Sequence, residues 1–106
     1  MLSIIKNQIS MTRGDTAILH VDLAYPDGTP YDLQEGDVVR FTVRKNPGAG
    51  DKLIEKTGLE IIIDPADTAK MPFGKYAYDI EVTRENGIVD TVIPPTLFEL
   101  CEEVTY

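Results

Sequence analysis

The stretch GKYAYDIEVTRENGIVDTVI, residues 74–93, decides the fold class of this chain. Apolar and polar residues alternate over residues 76–83, which indicates a strand with one buried face and one solvated face. The turn signal Glu85-Asn86-Gly87 follows, and residues 88–93 are rich in β-branched side chains. Because Asn-Gly accepts the positive φ angles of tight turns, the stretch predicts a β-hairpin.

Short strands are predicted along the rest of the chain by the same kind of pattern. A modest strand signal surrounds Ile4 and Ile5. Further strands are predicted over residues 16–24, 38–45, 53–56, 59–64 and 97–104. Turn signals separate them at intervals of roughly 8 to 12 residues, as in a sandwich or a barrel. We therefore expect residues 1–106 to form a single all-β domain of about seven or eight short strands.

Three local features refine this expectation. Ile61, Ile62 and Ile63 are consecutive and β-branched, so we expect their strand to be covered on both faces. Residues 64–71 predict the single helical turn, near residues 65–70, because Pro65 stands at a favourable early position. Pro94-Pro95 is expected to end the strand that follows the hairpin turn.

The charge balance excludes some classes of partner. The formal net charge is −8 and the sequence pI is about 4.4. Nucleic-acid binding needs a basic surface, and an anionic membrane surface would repel this chain. No apolar run approaches the roughly 20 residues of a membrane span, and the N-terminus lacks the features of a signal peptide. We expect one complete domain, made in a cytoplasm, that binds neither nucleic acid nor membrane.

Residue types that carry catalysis are sparse. His20 is the single histidine and lies on the predicted polar face of its strand, where solvation is the simplest interpretation. Cys101 is the single cysteine, which rules out an internal disulfide and favours a structural thiol. One histidine and one cysteine so far apart supply no local zinc ligand pair. We therefore expect no enzymatic activity, no catalytic or cofactor-binding residue and no cofactor.

Other motifs favour local structural roles. Asp64 and Asp67 bracket the helical turn, where Asp67 is suited to holding its backbone, and neither supplies a calcium loop. Arg13-Gly14-Asp15 is the tripeptide of integrin-binding proteins, but a tight turn at Gly14 is the better interpretation. Gly48-Ala49-Gly50 lacks the lysine and helix of a phosphate-binding loop. We expect no metal site.

Five tyrosines are spread along the chain. Tyr76 and Tyr78 lie on the alternating face of the hairpin and are expected in the core, with their hydroxyl groups reaching partners at its edge. Tyr25 and Tyr31 flank a loop with Pro and Asp-Gly turn signals. The two tyrosines are expected either to form a contact patch or to pack against their own loop.

Residues 67–79 resemble the corner of an immunoglobulin-type sandwich, in which an acidic turn precedes a tyrosine that locks the corner. Gly74-Lys75-Tyr76-Ala77-Tyr78 matches that shape, with Tyr78 where an antibody domain has its cysteine. The sequence contains no tryptophan. The resemblance implies an immunoglobulin-like β-sandwich without the tryptophan and disulfide of antibody domains.

The chain as a whole resembles small domains of tailed-phage and prophage structural proteins, in particular the N-terminal domain of baseplate upper proteins. The matching segments are RGDT at 13–16, DGTPYDL at 27–33, VRFTVRK at 39–45, IDPADT at 63–68 and GKYAYDI at 74–80. In that family a helical linker and further domains follow. Because this sequence stops at Tyr106, the resemblance implies a stand-alone structural or accessory protein, without catalytic residues.

This resemblance implies a non-enzymatic tail or baseplate protein of a virion assembled in a bacterial cytoplasm. Its partners would be other phage structural proteins or further copies of itself. Exposed edges over residues 3–9 and 97–104 are the expected contacts, because an unpaired strand edge can extend a neighbouring sheet. The alternative is a carbohydrate- or ligand-binding adhesion module that uses Tyr25, Tyr31 and nearby carboxylates.

Overall fold

The computed structural model describes residues 2–5, 7–25, 27–46, 48 and 50–102. Within them lie eight strands and one short helix, with the following bounds: β1 Leu2–Ile5, β2 Gln8–Thr12, β3 Ala17–His20, β4 Val38–Arg44, β5 Ile54–Thr57, β6 Glu60–Ile63, α1 Pro65–Thr68, β7 Gly74–Thr83 and β8 Val89–Cys101. The all-β class is therefore confirmed. No helix in the described ranges has the length and apolar character needed to cross a membrane.

The strands form two sheets of very different size. The large sheet has the order β1-β2-β8-β7-β4-β5, and the small sheet pairs β3 with β6. Neighbouring strands are antiparallel, except that β2 runs parallel to the end of β8. The predicted hairpin of residues 74–93 is confirmed, since β7 and β8 pair along their length.

Both sheets contribute side chains to one hydrophobic core. Phe41 of β4 and Phe98 of β8 are fully buried, with ring centroids 6.5 Å apart. From the small sheet, Ile61 and Ile63 are also fully buried. In β4 the predicted inward side chains are buried: Val39, Phe41 and Val43. Thr42, predicted on the polar face, is buried as well at 3% exposure, so the predicted alternation is confirmed only for the apolar face. A shared core ties the small sheet to the large one.

The hairpin turn is a three-residue loop with a bulge. The Arg84 carbonyl accepts a hydrogen bond from the Gly87 amide at 2.8 Å, and the Arg84 amide donates to the Ile88 carbonyl at 2.8 Å. Gly87 has a φ of +88°, which suits glycine in the left-handed position of such a bulge. The sequence signal therefore located the turn correctly, although only its glycine takes a positive φ.

The prediction that Pro94-Pro95 ends the strand is wrong, because β8 continues through both prolines to Cys101. Tyr78 pairs with Thr96 and Ile80 pairs with Ile93, so both prolines lie opposite a single residue of β7. Proline lacks the amide proton of a regular ladder, and a bulge is one of the few places in a sheet that tolerates it.

The helical turn predicted near residues 65–70 is confirmed by α1. Asp67 Oδ2 accepts a hydrogen bond from the Asp64 amide at 2.7 Å and lies 2.9 Å from Lys56 Nζ. Beyond the helix, the Tyr76 hydroxyl donates to the Pro72 carbonyl at 2.5 Å. The predicted role of Asp67 is observed, and Tyr76 is a core residue with a bonded hydroxyl, as expected.

Three other expectations need correction. The strand predicted over residues 16–24 is shorter, since β3 ends at His20. The strand that contains Ile61–Ile63 is covered on one face and not on both. Ile62 is 41% exposed, because none of the described residues covers the outer face of the small sheet. Residues Phe98–Leu100 lie between β2 and β7, so this end of β8 is interior to the sheet and not an edge. Val104 lies outside the described residues.

Candidate interaction surface

The histidine and the cysteine lie in different sheets. His20 Nδ1 is 4.0 Å from Glu60 Oε2 across the small sheet, and both side chains are largely exposed. Cys101 Sγ lies 3.2 Å from Ser10 Oγ, where β8 runs beside β2. His20 and Cys101, the two residue types considered for catalysis, therefore contact different partners and not each other.

The Arg13-Gly14-Asp15 segment packs against the helical corner. Gly14 has a φ of +87°, and its amide donates a hydrogen bond to Thr68 Oγ1 at 3.0 Å. The Arg13 guanidinium lies 4.1 Å from the centroid of the Phe73 ring. The tight turn predicted at Gly14 is confirmed, and the arginine lies against the protein surface.

Tyr25 and Tyr31 are brought together. Their rings meet edge to face with centroids 5.4 Å apart, an arrangement that aromatic pairs favour. The Arg84 guanidinium lies 5.0 Å from the Tyr31 ring centroid, and Arg84 Nη1 donates to the Tyr31 hydroxyl at 3.1 Å. The loop is thereby attached to the base of the hairpin turn.

Carboxylates at both ends complete this cluster. The Tyr31 hydroxyl donates to Asp37 Oδ2 at 2.6 Å, which lowers the pKa of Asp37 and raises the pKa of Tyr31. Arg84 Nε lies 2.7 Å from Asp90 Oδ2, and this hydrogen bond raises the pKa of Arg84. Arg84 therefore pairs with Asp90, while Asp37 is held by the Tyr31 hydroxyl.

A groove of about 410 Å³ opens beside the tyrosine pair, with Leu23, Val82 and Val92 among its apolar lining residues. Ile88 and Val89, which precede the lining residue Asp90 in the chain, are each 53% exposed. The groove thus combines aromatic and aliphatic walls with one matched ion pair. Its size is within the range of small-molecule sites.

A second exposed apolar surface lies on the small sheet. Ile18 of β3 pairs directly with Ile62 of β6, and these side chains are 50% and 41% exposed. Their pairing continues beyond β3, because the Val21 amide donates to the Leu59 carbonyl at 2.8 Å. Within the described residues β6 is the one strand paired with β3, so the opposite edge of β3 carries no strand.

Several other strand edges carry features that hinder pairing with another chain. The outer edge of the first half of β8 contains a bulged register around Val92 and the two prolines. The edge strand β5 presents Glu55 and Lys56. Bulges, prolines and charges protect sheet edges, whereas β3, with the sequence AILH, contains neither proline nor carboxylate. The edge predicted over residues 3–9 is correct for β1, which lies at an edge, and wrong for Gln8 and Ile9, which belong to β2 between β1 and β8.

The described residues contain no group of three or more His, Cys, Asp or Glu side chains placed to hold a metal ion. Gly48 and Gly50 lie in the loop before β5, and Ala49 is outside the described residues. Asp64 and Asp67 are joined at the helical turn, where the Asp67 side chain accepts a hydrogen bond from the Asp64 amide.

Sequence reasoning found the tyrosine pair but missed Arg84 and Asp90. Both flank the predicted hairpin turn, and cross-strand placement of opposite charges beside a turn could have indicated their pairing. The exposed pair of Ile18 and Ile62 was also missed. Detecting it requires the register between β3 and β6, which no local pattern encodes.

Comparison with known protein families, curated proteins and solved structures finds no match to this chain. Function therefore has to be argued from the surfaces described above.

Proposed function

We propose that this chain is a non-enzymatic structural domain of a tailed-phage or prophage particle, in the tail or baseplate, that acts by assembling with other proteins. The observation that carries the proposal is the open edge of β3 beside the exposed Ile18–Ile62 pair. An unprotected edge next to apolar side chains is the kind of surface that other polypeptides extend.

The strand arrangement supports an immunoglobulin-like interpretation of this domain. The neighbours β8, β7 and β4 follow the G, F and C order of immunoglobulin sheets, and β3 with β6 corresponds to the pair of B and E. Tyr76 bonds the backbone four residues upstream, at Pro72, as a corner tyrosine does. Domains of this architecture commonly serve as building blocks of larger assemblies.

The proposal is tested by asking whether the chain belongs to the particle. Particles from a producing host are purified by density gradient, and the chain is quantified by mass spectrometry against the other virion proteins. We expect a fixed ratio to those proteins. Light scattering across a concentration series establishes whether the purified chain also forms a defined oligomer.

Two matched variants connect incorporation to the surface. Ile18→Lys places a charge beside the open edge, whereas Val89→Lys places one at a site of similar exposure, 53% against 50%. We expect Ile18→Lys to reduce incorporation while Val89→Lys retains it. Absence of the natural chain from purified particles, together with a strictly monomeric state, would overturn the proposal.

A second candidate function is ligand binding at the Tyr25–Tyr31 groove. The specific observation in its favour is the cavity of about 410 Å³ with two tyrosines and an ion pair in its wall. Glycan-array binding that is lost in Tyr25→Ala would support this alternative. Such binding by a chain that is absent from particles would replace the assembly proposal.

A further inference from the structure

The hydrogen-bond register shows which backbone groups of β3 are open. The Val21 amide is bonded to the Leu59 carbonyl, and β3 pairs with β6 in the same antiparallel register. In such a ladder alternate residues bond to the same neighbour. Ala17 and Leu19 therefore bond toward β6, and the amide and carbonyl groups of Ile18 and His20 face away from it.

The fold leaves space for a strand at this edge. The small sheet has two strands and the large sheet has six, whereas immunoglobulin domains place four strands in the sheet that contains B and E. A cavity of about 250 Å³ lies alongside, lined by Leu19, His20, Ile9 and Ile93 among others. An added strand at β3 would cover the opening between the two sheets.

Side chains around the edge indicate the chemistry of that strand. Ile18 and Ile62 form an apolar centre on the outer face, which favours a β-branched or other apolar residue opposite them. The nearby carboxylates Asp22 and Glu60 are exposed, in a chain with a net charge of −8. Both carboxylates lie toward the His20 end of the strand, with Glu60 across from His20 on β6 and Asp22 just beyond His20. A basic residue at that end of the added strand would complement them.

A second copy of this chain fits less well as the occupant. It would bring its own Asp22 and Glu60 to the same interface and carry the same charge of −8, so that like charges would face each other. An extended segment of another protein does not bring these carboxylates with it and has to fit only the backbone and side chains along the edge of β3. Charge complementarity therefore selects a basic segment of a different protein.

We infer that the free edge of β3 binds an extended segment of another protein, which has an apolar centre and a basic residue toward the His20 end of β3, and adds to the small sheet as its third strand. This inference rests on the proposed assembly function and names its partner. Main-chain bonds to Ile18 and His20 would supply affinity, and the basic residue would supply selectivity.

The experiment uses the full chain and, as the probe, the synthetic peptide TKTVTKT with blocked termini. Its valine and both lysines share one face, and a lysine reaches the His20 end in either strand direction. Amide hydrogen exchange is followed residue by residue by NMR. We expect slower exchange at Ile18 and His20, and little change at Leu19, whose amide already bonds to β6. At a peptide concentration ten times Kd, the protected amides should exchange about tenfold more slowly.

Three controls separate the explanations. The peptide TETVTET tests charge selectivity, and a TKTVTKT peptide methylated on its central amide nitrogen tests main-chain pairing. Ile18→Lys should weaken binding, while Val89→Lys should leave it unchanged. Ile18→Thr is a milder variant that keeps a β-branched residue at the exposed site.

The inference is overturned if TKTVTKT does not protect Ile18 and His20, or if the acidic or methylated peptide protects them equally. Protection that rises with protein concentration alone would assign the edge to a second copy. Incorporation of the chain into particles despite a negative peptide result would overturn this inference and leave the proposed function intact.

Discussion

At the scale of single residues, the hydroxyl of Tyr76 has a defined structural role. The ring is 4% exposed, and its hydroxyl donates to the Pro72 carbonyl at 2.5 Å. We expect Tyr76→Phe to lower the free energy of unfolding by about 1 kcal/mol, since the ring still packs but the hydrogen bond is lost. Urea denaturation measures this change.

Tyr25→Phe is the matched control for this prediction. Tyr25 is 49% exposed, and its ring contact with Tyr31 does not need the hydroxyl. We expect a change within about 0.5 kcal/mol, as for most surface substitutions. Equal losses in the two variants would show that the bond to Pro72 does not stabilise the corner.

Asp67 gives a prediction about pH. Partial burial opposes its charged form, but the Lys56 ammonium and the Asp64 amide outweigh burial and hold the pKa of Asp67 below its ordinary value of 3.8. A carboxyl group whose pKa is lower in the folded state stabilises the fold above the unfolded pKa. That contribution is lost as the pH falls below about 4 and through the folded pKa.

Unfolding free energies between neutral pH and pH 3 test this expectation. Asp67→Asn should be less stable than the natural chain at neutral pH, and the difference should shrink as the pH falls. The unfolding free energy of Asp27→Asn over the same pH range provides a comparison. Asp27 is a fully exposed carboxyl group whose pKa is lowered by hydrogen bonds from Thr29. A difference between Asp67→Asn and the natural chain that is independent of pH would contradict the assigned role of the charge.

At the scale of elements, the hairpin turn depends on the backbone of Gly87. Its φ is +88°, and a Cβ atom built there would meet nothing within 4 Å. Any cost of Gly87→Ala therefore comes from the left-handed backbone, and we expect a loss of about 1 to 2 kcal/mol. Thermal unfolding of the variant measures the loss.

Gly50→Ala is the control, because Gly50 has equal space around it and no positive φ. Alanine at a compatible backbone position leaves stability unchanged or raises it by up to about 1 kcal/mol. If Gly87→Ala were as stable as Gly50→Ala, the bulged turn would not constrain the hairpin as described.

Element types were predictable from the sequence where alternation and turn residues agreed. The hairpin, the helical turn and the inward face of β4 are examples, because short-range patterns encode each of them. The passage of β8 through Pro94 and Pro95 was not predictable. It depends on the bulge opposite Asp79, which forms only when β7 supplies the partner strand.

The surfaces were predictable only in part, because their exposure also depends on which strands pair. Tyr25 and Tyr31 stand close in sequence, so their pairing followed from the loop between them. The exposure of Ile62 between buried Ile61 and Ile63 instead depends on how many strands and sheets cover each face. A run of three isoleucines has the same local pattern whether one face or both faces are covered.

At the scale of the whole molecule, one core joins the two sheets, and the molecule should unfold as a unit. Ile63 is fully buried and its neighbour Ile62 is 41% exposed. We expect Ile63→Ala to cost about 2 to 5 kcal/mol through lost burial and the cavity left behind. Ile62→Ala should cost about 1 kcal/mol or less, because it changes only an exposed strand position.

Urea unfolding followed by tyrosine fluorescence and by far-ultraviolet circular dichroism checks this prediction. Of the tyrosines, Tyr76 and Tyr78 lie in the large sheet, while Ile63 lies in the small one. If the core is shared, Ile63→Ala shifts both signals to the same lower midpoint, because domains of this size usually unfold in one transition. A fluorescence midpoint that stays unchanged while the circular dichroism midpoint falls would mean that the small sheet unfolds separately. The edge of β3 would then be present only part of the time, and a partner strand would have to stabilise the sheet that it joins.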